Sequence, residues 1–155
     1  MKTLLKRSIL SILLCIGYPI TAKSGKECNP VMTSEFIYET APYPSCHAST
    51  LAELEDGTIA AAWFGGTHER NPDVCIWFSR HLEGKWEEAV EVANGLQEDG
   101  TRYPTWNPVL FQPPDGDLYL FYKVGPHPST WWGMVMTSQD MGKTWSEPVR
   151  LSALG

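Results

Sequence analysis

"EDGTIAAAWFGG" (residues 55–66) and "PDGDLYLFYKVG" (residues 114–125) stand 59 positions apart, and each is an Asp-Gly turn followed by an apolar run that closes on glycine. The same shift carries Ser79 onto Ser138, Trp86 onto Trp145, and "HASTLAEL" (from His47) onto "WNPVLFQP" (from Trp106). One shift that fits four separate landmarks identifies a tandem repeat. Asp-Gly between apolar runs is a hairpin signal, and each copy divides into four short strands. The expected strands are 48–54, 58–64, 74–79 and 85–92 in the first copy, then 107–111, 117–123, 133–137 and 145–151 in the second. A four-stranded antiparallel unit repeated at this period reads as a β-propeller blade. The fold expected is all-β, with blades at about 44–95 and 103–152, and no segment carries a sustained helical period.

"SQDMGKTW" (residues 138–145) falls on the turn between the third and fourth strands of the second copy. Aspartate can accept hydrogen bonds from its own turn, glycine can take positive φ, and tryptophan can bury its ring between sheets. The pattern Ser-x-Asp-x-Gly-x-Thr-Trp resembles the Asp box, or BNR repeat, of the sialidase (neuraminidase) superfamily. The first copy reads "SRHLEGKW" (residues 79–86), with His81 in place of the aspartate and only the serine and tryptophan kept. A motif that loses its acid and keeps its tryptophan has a structural role, so Asp140 is not expected to be catalytic.

The chain opens with Lys2, Lys6 and Arg7 before an apolar run at 9–20, which is the layout of a secretory signal peptide covering about 1–22. The run is too short for a membrane-spanning helix, so a secreted or periplasmic protein with no membrane span after cleavage is expected. Of the cysteines beyond it, Cys28, Cys46 and Cys75 can form one disulfide at most, and their spacing matches no metal motif. A net charge of -6 gives no footprint for nucleic acid. No metal and no cofactor is called for.

In such a unit the first and third strands run parallel, so the Asp-box turn lies at the end opposite the first-strand starts. That opposite end gathers His47, then "GGTHERNPD" (65–73), "RYPTWN" (102–107) and "VGPHPSTWW" (124–132). Its candidates are His47, His68, Arg70, Asp73, Arg102, Asn107, Lys123, His127, Trp131 and Trp132. Aromatic rings stack on sugar faces, guanidinium groups fork onto carboxylates, and carboxylic acids and imidazoles move protons. A glycan is therefore the partner expected. Adjacent Trp131 and Trp132 point to opposite sides of an extended chain, which makes one a core residue and the other a sugar platform.

Beyond the Asp box, residues 46–80 and 102–146 resemble bacterial sialidase-like BNR proteins. The resemblance implies a six-bladed propeller and retaining cleavage of terminal sialic acid by a tyrosine nucleophile with its glutamate, an aspartate acid/base and three arginines on the substrate carboxylate. Asp73 in "NPDVCIW" matches the aspartate. The first arginine belongs to an Arg-Ile-Pro motif at the start of the first strand, where this chain reads "PSCHAST". Arg70 and Arg102 are the candidate substitutes, and the tyrosine, its glutamate and the remaining arginines belong to later blades. Propellers of similar build act on rhamnose–glucuronate linkages with a histidine in the proton transfer, a role His47 fits. A carbohydrate-binding propeller without catalysis is the third reading. Propellers have at least about four blades, so a truncated product or a partial gene model of a longer, sialidase-like protein is expected, inactive alone and open to self-association through its blade edges. The segment at about 23–43 is expected to close the ring or lie across it.

Overall fold

A computed structural model of the chain describes residues 33–151. The leader expected at 1–22 and Cys28 lie outside the described residues. Among the described residues nine strands form two antiparallel sheets. The first contains β1 (Ser45–Glu53), β2 (Ile59–Gly66), β3 (Cys75–Leu82), β4 (Lys85–Trp86) and β5 (Val90–Ala93), with β4 and β5 both paired to β3. The second runs β6 (Thr105–Phe111), β7 (Leu118–Val124), β8 (Trp132–Ser138) and β9 (Val149–Arg150) in that order. No helix occurs among the described residues.

Each expected strand is present, and the two fourth strands depart from the reading. In the first sheet the strand divides into β4 and β5 because the carbonyl of Glu87 accepts from the Ser79 hydroxyl (2.8 Å) instead of a ladder amide. In the second, only Val149 and Arg150 pair with β8. Pro148 precedes them and has no N–H to donate to the ladder. A further hairpin was not anticipated: Asp99-Gly100 repeats the turn of Asp56-Gly57 in the link between the sheets. In both, the aspartate accepts the amide two residues on (2.9 Å from Thr58, 2.8 Å from Thr101), and the glycine takes positive φ.

The repeat extends to backbone detail. The β1–β2 ladder breaks between His47 and Thr50, and the β6–β7 ladder breaks between Trp106 and Val109, the positions one repeat further on. The bulged residues Ala48 and Asn107 both have positive φ, 49° and 42°. The shared core lies between the sheets. Ala60, Ala62, Phe64, Ile76 and Phe78 from the first meet Leu110, Leu118, Leu120, Tyr122 and Val124 from the second. Each large side chain so buried contributes about 1.5–3 kcal/mol.

The opposite face of β2 is also covered. Residues 35–44 form no strand up to Pro44 and lie across that face, with Tyr38 and Tyr43 against Trp63 and Trp77. Trp63 Nε1 donates to the Tyr43 hydroxyl, and a Cβ at Gly65 would collide with the Tyr43 ring. Cys46 and Cys75 pair with Gly65 from its two sides, so they stand two strands apart. That separation is about 9–10 Å, beyond disulfide reach, and both thiols are free.

At the far end of the second sheet the Asp box is a closed turn. The Thr144 amide and hydroxyl donate to the two oxygens of Asp140 (2.8 and 2.6 Å), and the Gly142 amide donates to Ser138 Oγ (2.8 Å). Trp145 meets Phe78 of the first sheet edge-on at 5.4 Å, and a Cβ on Gly142 would run into the same ring. The degenerate first copy folds instead as a tight hairpin with Glu83 and Gly84 at positive φ, and Trp86 packs edge-on against His81.

Candidate functional site

Antiparallel register puts the candidate loops of both sheets at one end. In the first sheet Ser45 faces Gly66 and Gly65 faces Cys75; in the second Thr105 faces Val124, which faces Trp132. The two rims are locked level, since the amide and hydroxyl of buried Thr105 both donate to the Val74 carbonyl (3.1 and 3.0 Å). The Asp box begins at Ser138, the opposite end of β8.

Asp73 stands exposed at the base of the loop joining β2 to β3. The Thr67 amide donates to both of its oxygens (3.2 and 3.1 Å), and the Thr67 hydroxyl adds a shorter bond to Oδ2. One step along the rim Val74 carries the bonds from Thr105, so the acid sits beside the junction of the sheets.

His47 is also exposed, at the start of β1, and its imidazole stacks on Phe64 with centroids 5.7 Å apart and planes 11° from parallel. Phe64 contacts Trp106 at 6.2 Å, and Trp106 contacts Trp131 at 5.5 Å. Lys123 Nζ lies 4.7 Å from the Trp131 centroid. A continuous aromatic ridge therefore crosses from one sheet to the other, with an imidazole at one end and an ammonium at the other. Trp106 anchors it, fully buried with its Nε1 donating to Gly125 O (2.8 Å). The ridge owes its shape to the paired bulges, which re-aim the residues just before them, His47 and Trp106. Asn107 occupies the second bulge and is exposed.

The remaining candidates are dispersed. Arg102 turns to β3, with Nη2 2.9 Å from Cys75 Sγ. Burial pushes that thiol up to about 12, so it stays neutral. Arg70 is exposed at φ 76° on the loop between β2 and β3, where His68 Nδ1 bonds the Glu69 carbonyl at 2.8 Å. His127 pairs with Ser129 Oγ at 2.9 Å inside its own loop. The two tryptophans diverge as alternation requires. Trp131 joins the ridge, whereas Trp132 packs on the core, edge-on to Tyr103 with the Arg150 guanidinium over its ring. Sequence reasoning missed Thr67, Phe64 and Trp106. The repeat held a signal for Trp106, which is the counterpart of His47, but nothing in the sequence marked Thr67 as the partner of Asp73.

A family model described as a BNR repeat-like domain matches residues 57–154, well over half of the chain. The chain belongs to this family. Among solved structures the BNR repeat-like chain is similar to the Hadza microbial sialidase Hz136, with a TM-score of 0.60 and 17% identity, over 68% of this chain and 25% of that one. It is also similar to a protein of unknown function from Dyadobacter fermentans, with a TM-score of 0.55 and 19% identity, over 77% of this chain and 40% of that one. The chain thus spans about a quarter of the sialidase's length and two-fifths of the other's. No curated protein matches it. The likeness shows the fold: the two sheets are blades of a sialidase-like β-propeller, not closed into a ring among the described residues.

Proposed function

We propose that this rim is part of a glycoside-cleaving site of sialidase type, exo-acting on terminal acidic sugars of glycans. The observation that carries the reading is the level rim. It sets the Asp73 carboxylate and the ridge from His47 to Lys123 at the same end of both blades, while the Asp box holds the other end. In this reading Asp73 is the acid/base, and the half-buried Trp131 ring at the outer end of the ridge stacks on the sugar. Lys123 and Arg70 are the cations available to a substrate carboxylate, and Arg102 joins them only by leaving Cys75. The resemblance assigns the nucleophile and the other carboxylate ligands to later blades, which the described residues do not form, so the 155 residues alone are expected to be inactive. Export through the N-terminal leader, to the periplasm or medium, completes the reading.

A second reading is favoured by one feature, the imidazole of His47 exposed at the strand start where the sialidase pattern has arginine. There it suits proton transfer at a rhamnose–glucuronate linkage. The test is an assay of the full-length protein on a sialoside and on a rhamnosyl-glucuronide, with Asp73→Asn and His47→Ala. Loss of roughly 10²–10⁴-fold in kcat/KM on the sialoside with Asp73→Asn is expected. Release of the rhamnosyl product, abolished by His47→Ala, selects the second reading. Binding without turnover of either compound leaves a carbohydrate-binding propeller.

A further inference from the structure

We propose that Thr67 is the positioning residue for Asp73, an inference that rests on the reading of Asp73 as the acid/base. An exposed aspartate ordinarily samples several rotamers. Here one neighbour holds both carboxylate oxygens: the Thr67 amide at 3.2 and 3.1 Å, and the Thr67 hydroxyl by a shorter bond to Oδ2. The grip is local to the loop and independent of the blade core.

The residue before Thr67 fits the same purpose. Gly66 lies so close to the carboxylate that an added Cβ would stand 2.9 Å from Asp73 Oδ1 and 2.8 Å from Val74 Cα. Its side-chain-free surface therefore lets the carboxylate seat against the end of β2. On the other flank the loop is braced by itself, with Asn71 N donating to the His68 carbonyl and Val74 N to the Asn71 carbonyl, both at 3.0 Å. Oδ2 accepts from both the amide and the hydroxyl of Thr67, whereas Oδ1 accepts from the amide alone and keeps a second lone-pair direction where a leaving-group oxygen can reach it. Thr67 thus sets the direction from which Asp73 meets substrate and takes no part in the proton transfer itself.

Thr67→Val keeps the shape and removes the hydroxyl, and Thr67→Ser keeps both donors. In the full-length protein, on whichever acidic glycoside it cleaves, Thr67→Val is expected to lower kcat by roughly ten- to a hundredfold, the scale of a misplaced catalytic group. KM should stay within about twofold, and Thr67→Ser should recover most of the loss. Parallel melting curves check that Thr67→Val is folded. Unchanged kcat in Thr67→Val, with turnover abolished in Asp73→Asn, overturns the proposal and leaves the acid/base reading standing. A matched rise in KM that serine does not rescue also overturns it, because loop collapse then explains the loss. Full turnover in Asp73→Asn removes the acid/base reading and this inference with it.

Discussion

Asp140 and Asp73 are both loop aspartates, and their partners assign them different work. The two Asp140 oxygens are bound inside its own turn by Thr144 and Ser138. The Thr144 hydroxyl and amide hold its carboxyl down to about 2, below the ordinary 3.8. A depressed folded value means that the ionised group stabilises the fold above the ordinary value, and that this contribution is lost as pH falls through about 2. Asp140→Ala should therefore melt lower than the parent at pH 7, with the gap narrowing between about pH 4 and pH 2. A gap that stays constant over that range would show that the box does not depend on the charge. The structural role of Asp140 was legible from the decayed first copy, which keeps tryptophan without the acid. The arrest of Asp73 by Thr67 was not legible, because a bond between loop residues six apart leaves no periodic trace.

At the scale of elements, the shift of 59 positions carried most of the information. It anticipated eight strands, and the structure extends the correspondence to bulges at equivalent positions of β1 and β6. Where the reading failed, side chains or proline had interrupted a ladder: Ser79 takes the Glu87 carbonyl, and Pro148 truncates β9. Such local competition is invisible to strand periodicity. The hairpin turns offer a direct comparison. Gly84 and Gly142 both have positive φ, but only Gly142 lies against Phe78, while nothing lies near Gly84. Gly84→Ala should cost about 1–2 kcal/mol from backbone strain alone. Gly142→Ala should cost about 1–3 kcal/mol more through overpacking at the junction of the blades. Equal losses in urea melts would mean that the Asp box does not fasten one blade to the next.

Across the whole molecule, β2 and β7 are equivalent strands in unequal surroundings. β2 is buried on both faces, by the second blade and by the segment with Tyr38 and Tyr43. β7 alternates, with Leu118, Leu120, Tyr122 and Val124 buried and the intervening residues half-exposed. On the open side Phe111, Tyr119 and Phe121 form an aromatic row, with Val109 and Phe111 51% and 53% exposed. These positions correspond to residues that the first blade buries against the second. The purified chain is expected to bind a hydrophobic dye and to self-associate, and Phe111→Glu should reduce both. A monomer that binds no dye would mean that this face is covered in solution.

The proposal that glycan binds at the rim opposite the Asp box can be read directly from the indole N–H signals of the tryptophans. Trp131 sits on the rim ridge and Trp145 in the Asp box, so the two residues sample opposite ends of one blade. Titration of the ¹⁵N-labelled protein with a sialylated oligosaccharide should shift the Trp131 signal and leave Trp145 in place. Movement of Trp145 with Trp131 unchanged would put the sugar at the other end and contradict the account.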